Sequence, residues 1–92
     1  MLIIVKRKGH KETFDEKKVY GSVYAACASA HYDERLCEKN AEEITSRVKK
    51  FVKNKKKIDS IQIRKKVEEL LKKKNKELAF FYEQHLPNLK RL

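Results

Sequence analysis

Val5-Lys6-Arg7-Lys8-Gly9-His10-Lys11-Glu12-Thr13-Phe14-Asp15-Glu16-Lys17-Lys18-Val19 changes its periodicity twice, and the fold follows from where it does so. An apolar and then basic run over residues 2–7 stops at one of only two glycines in the chain. A second short segment over 12–14 follows after Lys8-Gly9-His10-Lys11. Glycine in a connection of that length supplies the positive φ that a hairpin turn commonly needs, so the two segments are predicted to pair antiparallel. Asp15 then reads as a helix N-cap, its carboxylate accepting from backbone N–H groups in the first turn, with Lys18 at the third helical position in place of a capping-box Glu.

Downstream the period becomes helical. Val19, Val23, Ala26, Cys27 and Ala30 recur at steps of three and four and predict a packed first helix from 16 to about 31. Gly21 in its second turn costs about 1 kcal/mol against alanine, which has two explanations: a close approach by another backbone or a ligand, or simple tolerance near a helix start. After the polar break at 31–35, Leu36 or Cys37, then Ala41, Ile44, Val48, Phe51 and Val52, trace the most regular helix. The basic loop at 53–57 leads to Ile58-Asp59-Ser60, a short third strand that also caps the next helix. The third helix, 61–74, is expected to bury Ile63, Val67, Leu70 and Leu71. The fourth, from 75 or 76 to 85, packs Leu78, Phe81 and Tyr82, and Pro87 marks its end. The expected fold is α+β, a four-helix bundle capped by a small two- to three-stranded sheet, in a single domain over 1–92.

Composition narrows the functional classes. The formal charge of +11 predicts an anionic partner, because lysine at this density repels itself; a lysine-rich proteome or adaptation to heat accounts for the excess equally well. The runs Lys49-Lys50, Lys55-Lys56-Lys57, Arg64-Lys65-Lys66 and Lys72-Lys73-Lys74 fall mostly between core positions, where a solvated face is the default and nucleic-acid contact the alternative. The tyrosines and phenylalanines do not interleave with these runs as base-stacking platforms would. Five apolar residues at the start are too few for a signal core or a membrane span, so a cytoplasmic protein without membrane contact is expected.

Cys27 and Cys37 form no Cys-x-x-Cys pair, and the three histidines are scattered, so no zinc spacing exists. Two thiols in a helical chain without an export signal read most simply as free, with a lone disulfide as the alternative. Cys27 is a packing residue, and Cys37 stands at a helix start, a place that can lower a thiol pKa. No Ser-His-Asp or Cys-His spacing, P-loop or Gly-x-Gly-x-x-Gly is present, which argues against an enzyme.

The opening stretch is more specific. On an extended strand Lys6 and Lys8 share one side and Arg7 takes the other. Lys17 and Lys18 add cations at a helix start, whose N–H groups favour anions, and together they suit a triphosphate. Glu12 and Asp15 would repel a bare phosphate chain and fit better as acceptors for a base amino group or a ribose hydroxyl; for Asp15, plain helix capping serves as well, and the two roles are compatible.

The pattern Val5-Lys6-Arg7-x-Gly9-x-x-Glu12-x-Phe14-Asp15-x-x-Lys18-Val19-x-x-Ser22-Val23-x-x-Ala26 closely resembles the opening motif of the ATP-cone. That family is the regulatory nucleotide-binding domain of many ribonucleotide reductase large subunits and of the zinc-ribbon repressor of their genes. Ile58-Asp59-Ser60-x-x-Ile63-Arg64-x-x-Val67 resembles its second motif, and the Ala-Glu-Glu-Ile run at 41–44 extends the match over nearly the whole chain. Lys8 departs from it, standing where the family usually has an acidic residue.

By this resemblance Lys6, Arg7 and Lys18 meet the phosphates, and Ser60 and Arg64 approach the same pocket from the third helix. Glu12 and Asp15 lie by the base and sugar, and Ile4 and Val19 line the adenine. The implied effector is ATP or dATP, bound and not consumed, with Mg²⁺ joining through the phosphates. The expected role is a stand-alone regulatory domain whose homo-oligomerisation, or binding to a ribonucleotide reductase-related protein, responds to the nucleotide. The alternative is a small basic DNA- or RNA-binding protein, a nucleotide-responsive regulator of transcription.

Overall fold

The computed structural model describes residues 2–5 and 11–90, leaving out the side chains of Glu12 and of 85–90. The order of elements is β1 (Ile3–Val5), β2 (Lys11–Thr13), α1 (Glu16–Ser29), α2 (Glu34–Val52), β3 (Lys57–Asp59), α3 (Ser60–Lys74) and α4 (Lys76–Lys90). The chain is α+β and mostly helical, with a small mixed sheet of order β2-β1-β3.

The predicted antiparallel pair is present, with Ile3 opposite Thr13, Ile4 opposite Glu12 and Val5 opposite Lys11. Its turn, with Lys6, Arg7, Lys8, Gly9 and His10, lies outside the described residues. On its other edge β1 pairs parallel with β3, Ile4 beside Ile58 and Val5 beside Asp59. Ile4 and Ile58 are thus neighbours on one face of the sheet, and both are buried in a single core with residues of all four helices. α1 packs against α2 and α4, while α3 packs against α4 and α2.

Short polar side chains start every helix. Asp15, Asp33 and Asp59 accept from Lys17 N, Leu36 N and Ile61 N at 2.9, 2.8 and 2.8 Å, and Asn75 Oδ1 accepts from Glu77 N at 2.7 Å. At α3 the Gln62 side chain reaches back to Asp59 N at 3.1 Å and completes a capping box. α1 stops at Ser29, short of the expected 31, because His31 adopts φ 65°. That conformation lets His31 N donate to Ala28 O and Tyr32 N to Cys27 O, the paired bonds of a Schellman motif.

Other expectations are corrected in detail. Cys37 is the first core position of α2, and Leu36 is 45 % exposed. Ile63, Phe51 and Phe81 are only partly buried and pack against the core from its margin. α4 continues to Lys90 through Pro87, which was expected to end it; a proline removes one intrahelical hydrogen bond and strains a turn, without obliging the helix to stop there. Gly21 lies inside α1, and among the described residues no atom beyond its own helix backbone comes within 4 Å of where a Cβ would stand, so no other described backbone approaches it.

Candidate functional site

The sheet brings the two motif-bearing segments together. β2 runs through Phe14, whose N–H donates to Leu2 O at 3.1 Å, into Asp15 and the start of α1. β3 runs straight into α3. Because β3 is parallel to β1, Val5 stands in register between Lys11 and Asp59, and Ser60 follows immediately. A neighbour more than fifty positions away in the chain thereby lies beside the strand that leads to Lys6 and Arg7.

The expected nucleotide residues fall into three groups. Lys6 and Arg7 lie outside the described residues, and Glu12 is located by its register with Ile4 alone. Asp15 and Lys18 are exposed at the start of α1, where Lys18 N donates to Asp15 O at 3.1 Å. Ser60 and Arg64 are half-buried one turn apart on α3. Ile4 and Val19 belong to the core, with 5 % and 7 % of their surfaces exposed. At both helix starts an aspartate already occupies an N–H that an anion would otherwise take, so a phosphate there depends on side-chain cations.

Arg64 belongs to a second cluster that the sequence did not reveal. Burial pushes the Tyr82 phenol up to about 12, opposed by the Arg64 guanidinium, reinforced by Glu68, and opposed again by a hydrogen bond with Ser22. Ser22 Oγ itself donates to Val19 O at 2.8 Å. The phenol of α4 thus lies within electrostatic reach of Ser22 on α1 and of Arg64 and Glu68 on α3. Only the helical spacing of Tyr82 within the core pattern hinted at its burial, and nothing local named its partners.

The thiols are chemically quiet. Both are free and buried between α1 and α2. Burial raises Cys27 to about 11, and burial also raises Cys37, whose Sγ lies 3.6 Å from Tyr32 O. The lowered pKa considered for Cys37 is therefore overturned: desolvation of the thiolate outweighs the pull of the helix start.

A groove lies elsewhere, a shallow space of about 660 Å³ between α1 and α2 lined by Glu16, Lys17, Tyr20, Glu42, Thr45, Ser46, Lys49, Lys50 and Lys53. Its signal in the sequence was a polar stripe at helical spacing opposite the apolar one, which reads as ordinary solvated surface. Among the described residues no group of three or more His, Cys, Asp or Glu side chains could hold a metal, and no helix is long and apolar enough to cross a membrane.

A search of curated proteins finds no match to the chain. The family model described as the ATP cone domain matches residues 2–84, which include both helix starts, the whole sheet and the hairpin sequence between its first two strands. On that match the chain belongs to the ATP-cone family, a family of regulatory nucleotide-binding domains.

Proposed function

We propose that this chain is a non-catalytic regulatory domain, acting in the cytoplasm, that binds ATP or dATP beneath its small sheet, which caps one end of the helices. Lys6, Arg7 and Lys18 hold the phosphates, and Arg64 and Ser60 approach them from α3. Glu12 and Asp15 accept hydrogen bonds from the base and sugar, and Ile4 and Val19 offer their remaining surface to the adenine. The observation that supports this most is the register that sets Asp59 beside Val5, because it joins the two halves of the motif on neighbouring strands. Mg²⁺ enters with the phosphates, since the described side chains supply no ligand cluster of their own. Regulation follows if one oligomeric or partner-bound state binds the nucleotide better than the other, a ribonucleotide reductase-related protein being one such partner.

Calorimetric titration tests the assignment. ATP and dATP are expected to bind, GTP to bind more weakly, and Lys6→Ala to lower the affinity about tenfold or more, the worth of one charge-assisted hydrogen bond. No adenine-nucleotide binding at millimolar concentration, or an unchanged affinity in Lys6→Ala, refutes it. Exposed Lys65, Lys72 and Lys73 on α3 favour a second reading, nucleic-acid contact by charge. A gel shift that weakens steeply with salt supports that reading, and no shift at low salt removes it.

A further inference from the structure

The polar stripe of α2 has a symmetry that the nucleotide reading leaves unused. Glu34, Glu38 and Glu42 stand in its N-terminal half beside Arg35 and Lys39, and Lys49, Lys50 and Lys53 in the C-terminal half, all of them exposed. Steps of three and four keep Glu38, Glu42, Lys49 and Lys53 on one side of the helix. Between the halves lie Thr45 and Ser46. Glu42 precedes the midpoint of that pair by as many residues as Lys49 follows it, and Glu38 by as many as Lys53 follows it.

A stripe of this kind complements itself only when reversed. We infer that the α1–α2 face docks a second copy of this chain, with the two α2 helices crossing antiparallel near Thr45 and Ser46 about a two-fold axis. Glu42 of one copy then faces Lys49 of the other, and Glu38 faces Lys53, each pair occurring twice as an isologous contact requires. A parallel arrangement would set carboxylate against carboxylate. Antiparallel helices also oppose their macrodipoles.

Charges alone would hold such a pair weakly, since exposed ion pairs contribute about 0–1 kcal/mol each. The face also has aromatic surface. Tyr20 and Tyr24 stack along α1 with ring centroids 6.2 Å apart and remain half-exposed beside the stripe. Tyr20 lines the same groove as Glu42, and both phenols are raised by burial first, then by Glu38 and Glu42 at Tyr20 and by Glu34 among others at Tyr24. Tyrosine is enriched where protein surfaces meet, and the charges set the register. Lys49 already touches Glu16 at 2.9 Å, but both side chains are about half exposed, so the pair can exchange at little cost.

This self-association rests on the proposed nucleotide function only for its response to ATP, since its charged residues and those assigned to the nucleotide do not overlap. Sedimentation equilibrium is run with and without ATP on the wild type, on Glu38→Lys with Glu42→Lys, and on Lys49→Glu with Lys53→Glu, after circular dichroism has confirmed helical folding. The wild type is expected at twice the chain mass, each double variant at the chain mass, and their equimolar mixture at twice it again, because the two reversed stripes complement each other. A monomeric wild type in both conditions, a dimer that survives either reversal, or a mixture that stays monomeric overturns the proposal. Calorimetry with ATP on the same samples reads nucleotide binding separately, so either idea can fail while the other stands.

Discussion

Gly21 and His31 are set against the usual backbone logic. The glycine stands inside α1, where its freedom is a cost, and the histidine takes the left-handed conformation that glycine adopts without strain. Gly21→Ala is therefore expected to raise stability by up to about 1 kcal/mol, and His31→Gly by a similar amount. Both are read as urea midpoints, and a loss in either variant contradicts the account. If ATP affinity also falls in Gly21→Ala, a ligand approaches the glycine, the alternative that sequence left open. Asp15 and Asp59 were legible as caps because their signal is local: a short acceptor one turn before the first apolar position. The conformation of His31 was not, since the same residues could have continued the helix.

Each helix is legible from its own stretch of chain, because burial on one side imposes a period on the residues that form it. The ends are less so, as α4 shows by running through Pro87. α3 matters most to the site, for it begins one residue after the strand that meets Val5. Removing its cap by Asp59→Ala is expected to cost about 1 kcal/mol, measured by urea unfolding, while Gln62 keeps its bond to the backbone N–H of residue 59. An unchanged midpoint would mean that packing of Val67, Leu70 and Leu71 alone defines the start of the helix.

At the scale of the molecule, polar contacts join parts that sequence keeps apart. Asn75 Nδ2 donates to Tyr32 Oη at 2.9 Å, linking the α1–α2 turn to the α3–α4 turn, and Glu43 of α2 pairs with Lys74. The Phe51 ring receives Lys55 at 5.0 Å and Lys66 at 5.3 Å, so part of the lysine excess is used inside the fold. Two buried weak acids make stability depend on alkaline pH. Cys27 rises from 9.0 to about 11 and Tyr82 from 10.0 to about 12, so the folded chain holds these protons after the unfolded chain has lost them. Their contribution is complete below pH 9.0 and is lost as pH climbs through about 11 and then about 12. Urea unfolding across that range should show stability falling, and Cys27→Ala with Tyr82→Phe should flatten the fall; an equal slope in the double variant refutes the linkage.

Sequence by itself determined what depends on neighbours along the chain: four helical periods, the caps at Asp15 and around Asp59, two short β segments around a glycine, a third strand at Ile58, and a motif specific enough to name a family. Tertiary structure alone decided what depends on distant residues. The parallel pairing of β1 with β3 is one such case, because no turn connects the two strands and many registers fit three residues. The convergence of Ser22, Arg64 and Tyr82 is another, and so is the α1–α2 face that sets two tyrosines beside a stripe of opposed charge. Period reports which side of a helix is buried; only packing determines which side chains it meets there.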